Sequence, residues 1–185
     1  MAFLLGVLTF TPWNILLAHF QVIEYPNPAY LGIASWTPWA FGAMVVIVVS
    51  IFTGMDRLFH TNESYAPATM AFEYLLLAGF YLGVLFFRSY PYLLSLTLLI
   101  VMLVRLIFFH RPWDLLFFIF GISVGPTVEL VLTNLHLYSF SEPDFLGMPL
   151  WLALVWGLVA MSLRRVAWVL FPSDRPSHPL ALKIG

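Results

Sequence analysis

The chain has 185 residues, of which 62% are hydrophobic, 18% aromatic and 9% charged, with a formal net charge of −1. A soluble domain carries about 25% charged residues, so this composition excludes an ordinary water-soluble globule and points to an all-α integral membrane protein. A near-zero net charge supplies no basic field for nucleic acid, and the lack of cysteine removes disulfides, thiolate metal sites and a cysteine nucleophile while leaving the redox compartment unread.

Six apolar runs, broken by charges, prolines and asparagines, read as six transmembrane helices at 3–21, 31–52, 70–87, 92–109, 115–135 and 145–170. The first lacks a basic leader and a small-residue cleavage site, so it reads as a helix of the mature protein and not as a signal peptide. The longest connection, 53–69, holds Asp56, Arg57, Glu63 and Pro67. The other connections are short, which makes sequential helices antiparallel neighbours in one compact bundle. Residues 1–171 form this single domain, and the Pro-rich segment 172–185 reads as a cytosolic tail without fixed structure. No internal repeat is evident, although three hairpins of two spans each would suit one.

The basic residues sort by side. Arg57, Arg105, Arg111, Arg164, Arg165, Arg175 and Lys183 fall at the end of the bundle that holds both termini, and only Arg88 falls at the other. The positive-inside rule then places both termini in the cytosol. Trp13, Trp36, Trp39, Tyr90, Tyr92, Trp113, Tyr138, Trp151 and Trp168 lie near span ends, where interfacial belts and interhelical packing both favour aromatics.

The fifth span carries FFIFGISVGPTVELVLTN, and the bundle reads as built around it. Gly125-Pro126 removes a backbone donor and favours a break. Thr127 sits beside it, and Glu129 follows deep in the apolar run. A carboxyl at that depth costs about 2–3 kcal/mol or more, so it is expected to face protein or a wet cavity. In the first span, Asn14 and His19 accompany Pro12. At the helical rise, His19 lies about 24 Å and Glu129 about 21 Å from the cytosolic ends of their helices, so Glu129 is expected to pair with His19, Asn14 or Arg88. An interhelical polar clamp accounts for these residues as well as a ligand site does. Glu73 and Arg105, on adjacent hairpin arms, are expected to form an ion pair. Arg164 and Arg165 are read as anchors at anionic headgroups.

Other chemistries are missing. No HExxH motif and no His/Asp/Glu set with metal spacing occurs, so no metal site and no cofactor are expected. No GxSxG motif or phosphate-binding glycine loop is present. Rings of like charge for a channel are absent, and Pro12 and Pro126 only weakly suit the broken helices of a transporter.

Three stretches resemble one family. AHFQ at 18–21 followed by SWTPWAFGA at 35–43, LSLTL at 94–98 leading to FHR at 109–111, and YSFSEPDFLGMPLWLALVWG at 138–157 are similar, in order, to motifs of the Insig (insulin-induced gene) family of six-helix membrane proteins and its prokaryotic relatives. The resemblance implies a lipid-binding bundle with no catalytic residue. Gln21 takes the place of the family's ligand-pocket residue, and His110, Arg111 and Asp114 lie where the family has its partner-binding Phe-Asp-Arg loop. The family's aspartate is His110 here, which argues against a sterol-sensing escort partner.

The expected function is therefore non-catalytic binding of a neutral lipid (diacylglycerol-like, sterol-like or isoprenoid) in an intramembrane cavity, as a sensor or regulator. The expected ligand contacts are Asn14, His19, Gln21, Gly125, Pro126, Thr127 and Glu129. The expected home is the bacterial inner membrane for a prokaryotic chain, or the endoplasmic reticulum for a eukaryotic one, with the oligomeric state open. The series GPTVEL to GMPLWL also resembles carotenoid cyclase and hydratase membrane proteins. That resemblance implies the alternative of an intramembrane isoprenoid-modifying enzyme, with Glu129 as general acid.

Overall fold

The structure is a computed structural model that describes residues 1–58 and 67–170. The Pro-rich tail, with Arg175 and Lys183, lies outside the described residues, as does Glu63. Among the described residues are six helices, α1 (Ala2–His19), α2 (Thr37–Leu58), α3 (Pro67–Phe87), α4 (Pro91–Phe108), α5 (Asp114–Asn134) and α6 (Trp151–Leu170), and two short strands, β1 (Ile23–Glu24) and β2 (Ser139–Phe140). Five helices are long and apolar enough to cross a membrane, and α3 adds the apolar run Ala71–Phe87. The chain is a multi-pass integral membrane protein.

The helices α2 and α6 begin six residues later than the hydropathy reading places them, because Pro28 and Pro149 and two tight turns hold the chain out of helix before them. In that space the backbone polar groups are satisfied by other means. β1 pairs antiparallel with β2, Ile23 with Phe140 and Glu24 with Ser139, closing one end of the bundle. We refer to this as the sheet end, and to the opposite end, where α1 begins and α6 finishes, as the terminal end.

Helix α6 is the hub. It packs against α5, α3, α2 and α4, and 78% of its apolar window is buried, against 17% for α5. The expectation that α5 organises the bundle is thus corrected. The acid-bearing helix lies on the periphery, and it runs unbroken from Asp114 to Asn134 with Pro126 inside it. Its neighbour α6 carries few lipid-facing positions because Leu158, Met161 and Arg164 are all fully enclosed.

The chain contains an internal repeat. At one constant spacing, the α1–β1–α2 unit matches the α5–β2–α6 unit residue for residue. Gly6 packs on the backbone of Phe41 and Gly42, and Gly121 packs on that of Trp156 and Gly157. Gly42 lies under the Phe3 ring and Gly157 under the Phe118 ring. A Cβ on Gly6 would stand 2.4 Å from the Phe41 oxygen, and one on Gly121 would stand 2.5 Å from the Trp156 oxygen, so both helix pairs depend on glycine for their closeness. After each first helix Val22 N–H bonds the Leu17 carbonyl and Leu137 N–H that of Leu132. Equivalent residues Glu24 and Ser139 meet in the strand pair, which places a local two-fold axis there. The hairpin α3–α4 lies between the two units in sequence.

Candidate functional site: a buried acid and its polar neighbours

Two polar clusters are held inside this apolar bundle. The first is at the terminal end and draws on five helices. Arg105 of α4 reaches Glu73 of α3 at 2.8 Å, as the sequence leads one to expect. The pair is part of a larger network. Arg165 bonds Glu73 and also Asp114 at 2.5 Å. Arg164 holds Asp56 of α2 at 2.8 Å and the Pro112 carbonyl at 2.8 Å, and lies over the Phe117 ring. Ser162 donates to Glu73 and the Trp168 indole to Asp56. The headgroup-anchor reading of Arg164 and Arg165 is corrected here, since both are buried. An isolated guanidinium at this depth is costly, so each is matched by a carboxylate. Asp114 belongs to the same network and caps the loop by accepting from Arg111 N–H at 3.0 Å. It is therefore not an exposed partner-loop residue, whereas His110 and Arg111 are exposed.

The second cluster lies towards the sheet end. Asn14 and Glu129 occupy equivalent positions in the two repeats. Asn14 accepts a 2.5 Å hydrogen bond from the Tyr25 hydroxyl. Glu129 accepts one at 3.1 Å from the Trp156 indole, and its second oxygen is buried with no hydrogen-bond partner. Tyr25 joins the two halves. Burial pushes its phenol up to about 12; contact with Thr37 opposes this, and the nearby Glu129 charge adds to it. Tyr81 of α3, also close to Glu129, stacks on Trp13 of α1 at 4.9 Å. An uncharged carboxyl there would be a donor as well as an acceptor.

The structure thus bonds Asn14 to Tyr25 and Glu129 to Trp156. The expected direct pairing of Glu129 with His19, Asn14 or Arg88 is replaced by the bond from Trp156. Gly125 is where the Trp156 side chain packs, since an added Cβ would stand 2.2 Å from the ring, and Pro126 is half-buried on the next position. Thr127 is exposed, with its hydroxyl bonded back to the Ser123 carbonyl. His19 is exposed at the end of α1, edge-on to Phe20. Gln21 follows in a left-handed conformation and rims a small recess shared with Arg88, Ser141, Glu142 and Trp151. Sequence reasoning missed Tyr25, Tyr81 and Trp156. Tyr25 lies in a loop and the other two look like ordinary aromatic packing, so only the repeat, which sets Glu129 opposite Asn14, signals them.

Among the described residues no His/Cys/Asp/Glu group suits a metal. A groove of about 410 Å³ lies between α3 and α4, lined by Leu75, Gly79, Gly83, Leu94, Thr97 and Leu98. The space between α1, α3 and α6, beside Thr9, Tyr74 and Ser162, is only about 10 Å³.

A six-helix bundle spanning a membrane, built from repeated glycine-packed hairpins and capped by a two-stranded sheet, is the class that these features define. No family model matches the sequence, and no curated protein matches it. Two solved structures match nearly end to end: the mycobacterial Insig homolog of Mycobacterium vanbaalenii and a cross-linked trimer of that protein. Each has a TM-score of 0.73 and 16% identity, covering 93% of this chain and 94% of the other. The chain is Insig-like in fold.

Proposed function

We propose that the chain is a non-catalytic membrane protein that binds a neutral, hydroxyl-bearing lipid, diacylglycerol-like, sterol-like or isoprenoid, and acts as a lipid-responsive regulator. The observation that carries this reading is the second oxygen of Glu129, buried without a hydrogen-bond partner. A polar atom so placed costs free energy until a partner meets it. A lipid hydroxyl supplies that partner without bringing a charge into the membrane. Asn14 and Tyr25 stand by for a second polar group, and the aromatic seam of Trp13 on Tyr81 is the face that a lipid tail would part on entry. The Insig-like fold supports the same reading, and we infer cytosolic termini from the charge bias.

Addition of a neutral lipid with a free hydroxyl should raise the melting temperature of the detergent-solubilised protein, and its acetylated counterpart should not. Equal shifts from both would contradict a hydroxyl-directed site. The enzyme reading with Glu129 as general acid rests on the same carboxyl, whose one hydrogen-bond partner among the described residues is the Trp156 indole. It would be favoured by turnover that Glu129→Gln abolishes while lipid is still bound.

A further inference from the structure

Each repeat makes a return turn between its strand and its second helix. Residues Tyr30-Leu31-Gly32-Ile33 form one and Phe145-Leu146-Gly147-Met148 the other. Both are closed by paired backbone hydrogen bonds between first and last residue, Tyr30 with Ile33 and Phe145 with Met148. Both central residues have positive φ, 49° and 82° in the first turn and 51° and 78° in the second. This conformation favours Asn-Gly or Asp-Gly, polar residues that suit water. Both turns instead place a leucine there, in a backbone region that disfavours it. Neither leucine is in the core. Leu31 is 58% and Leu146 61% exposed, and the preceding Tyr30 and Phe145 are 70% and 62% exposed. The last residues, Ile33 and Met148, are buried and pin the turns to the bundle.

The first turn does not stand away from the helices. A Cβ on Gly32 would lie 3.5 Å from the Ala18 side chain, so the turn folds back beside the last turn of α1. The residues at that end of α1 are themselves apolar and exposed, Leu16 at 36% and Phe20 at 39%. Polar segments of the same loops, Asn27 and Glu142, are exposed without such neighbours in sequence.

We propose that the two return turns are a paired bilayer anchor, inserting Tyr30, Leu31, Phe145 and Leu146 into the headgroup–acyl boundary of the leaflet at the sheet end. Strained leucines at matching places in both repeats are then accounted for by contact with lipid. The anchor is independent of the lipid held near Glu129, and it fixes the height of the sheet relative to the membrane.

The chain has no cysteine, so single cysteines report without ambiguity. Full-length protein with Leu31→Cys, Leu146→Cys, Tyr30→Cys, Phe145→Cys, Asn27→Cys or Glu142→Cys, nitroxide-labelled in phosphatidylcholine vesicles, is relaxed by oxygen or by a water-soluble nickel chelate. The first four labels should favour oxygen and the last two nickel. If the leucine variants misfold, the Tyr30 and Phe145 labels still decide. Nickel access at the turns equal to that at Asn27 and Glu142 overturns the anchor. The same access in vesicles, with shielding only in native membranes, also overturns it and assigns the turns to a protein partner.

Discussion

Glu129 and Asn14 show how the same backbone position is used twice. Asn14 satisfies its carbonyl with the Tyr25 hydroxyl, whereas Glu129 leaves one oxygen unbonded. The asymmetry sits in a symmetric frame, and in the proposed function it is the second half that meets the ligand. Glu129→Leu should release bound lipid, while Glu129→Gln, which keeps an acceptor for Trp156 and a polar group for a hydroxyl, should retain most of it; lipid extracted from both purified variants checks this. Tyr25 gives a second test. Its folded pKa lies above the ordinary 10.0, so the stability from the neutral phenol is complete below pH 10 and is lost as pH rises through about 12. An ultraviolet phenolate titration should lose a late step near that pH in Tyr25→Phe. The depth of Glu129 was legible in the sequence, because a carboxylate within an apolar run has few places to go. Its partner was not, because an indole donor is indistinguishable in sequence from a packing tryptophan.

At the scale of elements, helix existence follows from apolar run length, and Pro91 opens α4 where a missing N–H costs nothing. The starts of α2 and α6 were misplaced because the turn residues before them are themselves apolar, so hydropathy alone does not end the span. The repeat was hidden for a related reason. Its identities, such as Gly6 and Gly121, Leu31 and Leu146, Trp36 and Trp151, are sparse, and they count only once the turns and helix contacts show them equivalent. Close packing at the glycines makes a sharp prediction. Gly121→Leu would drive a side chain into the Trp156 backbone, and a loss of about 3 kcal/mol is expected from overpacking; a thermal melt in detergent measures it. Gly79, with nothing near its absent side chain, should accept alanine without loss in the same assay.

For the whole molecule, α2 to α6 are tied at the terminal end by three arginines and three carboxylates. Glu73→Gln removes the charge shared by Arg105 and Arg165, and should cost about 3 kcal/mol because two buried cations are then left to share Asp114 as their counter-ion. Denaturant melts of the variant check this, and a change within error of wild type would mean the network is spread more evenly. The sequence reveals the Glu73–Arg105 pair through hairpin adjacency, but it hides Arg164 and Arg165, because a double arginine near a span end is the ordinary mark of a headgroup anchor. Their burial also changes the charge bias that orients the chain, since Arg105, Arg164 and Arg165 serve the interior. Arg57 and Arg111, with the basic residues beyond Leu170, are left to oppose Arg88. An impermeant maleimide applied to whole cells should label Glu142→Cys and leave His110→Cys unlabelled if the termini are cytosolic.

The central claim is that this bundle holds a neutral lipid at Glu129. Native mass spectrometry of the gently solubilised protein tests it most directly. The account predicts a near-stoichiometric neutral lipid on the wild-type chain and on Glu129→Gln, absent from Glu129→Leu, which still melts cooperatively. A wild-type protein that retains no lipid, or a folded Glu129→Leu variant that retains the same lipid at the same level, would contradict it.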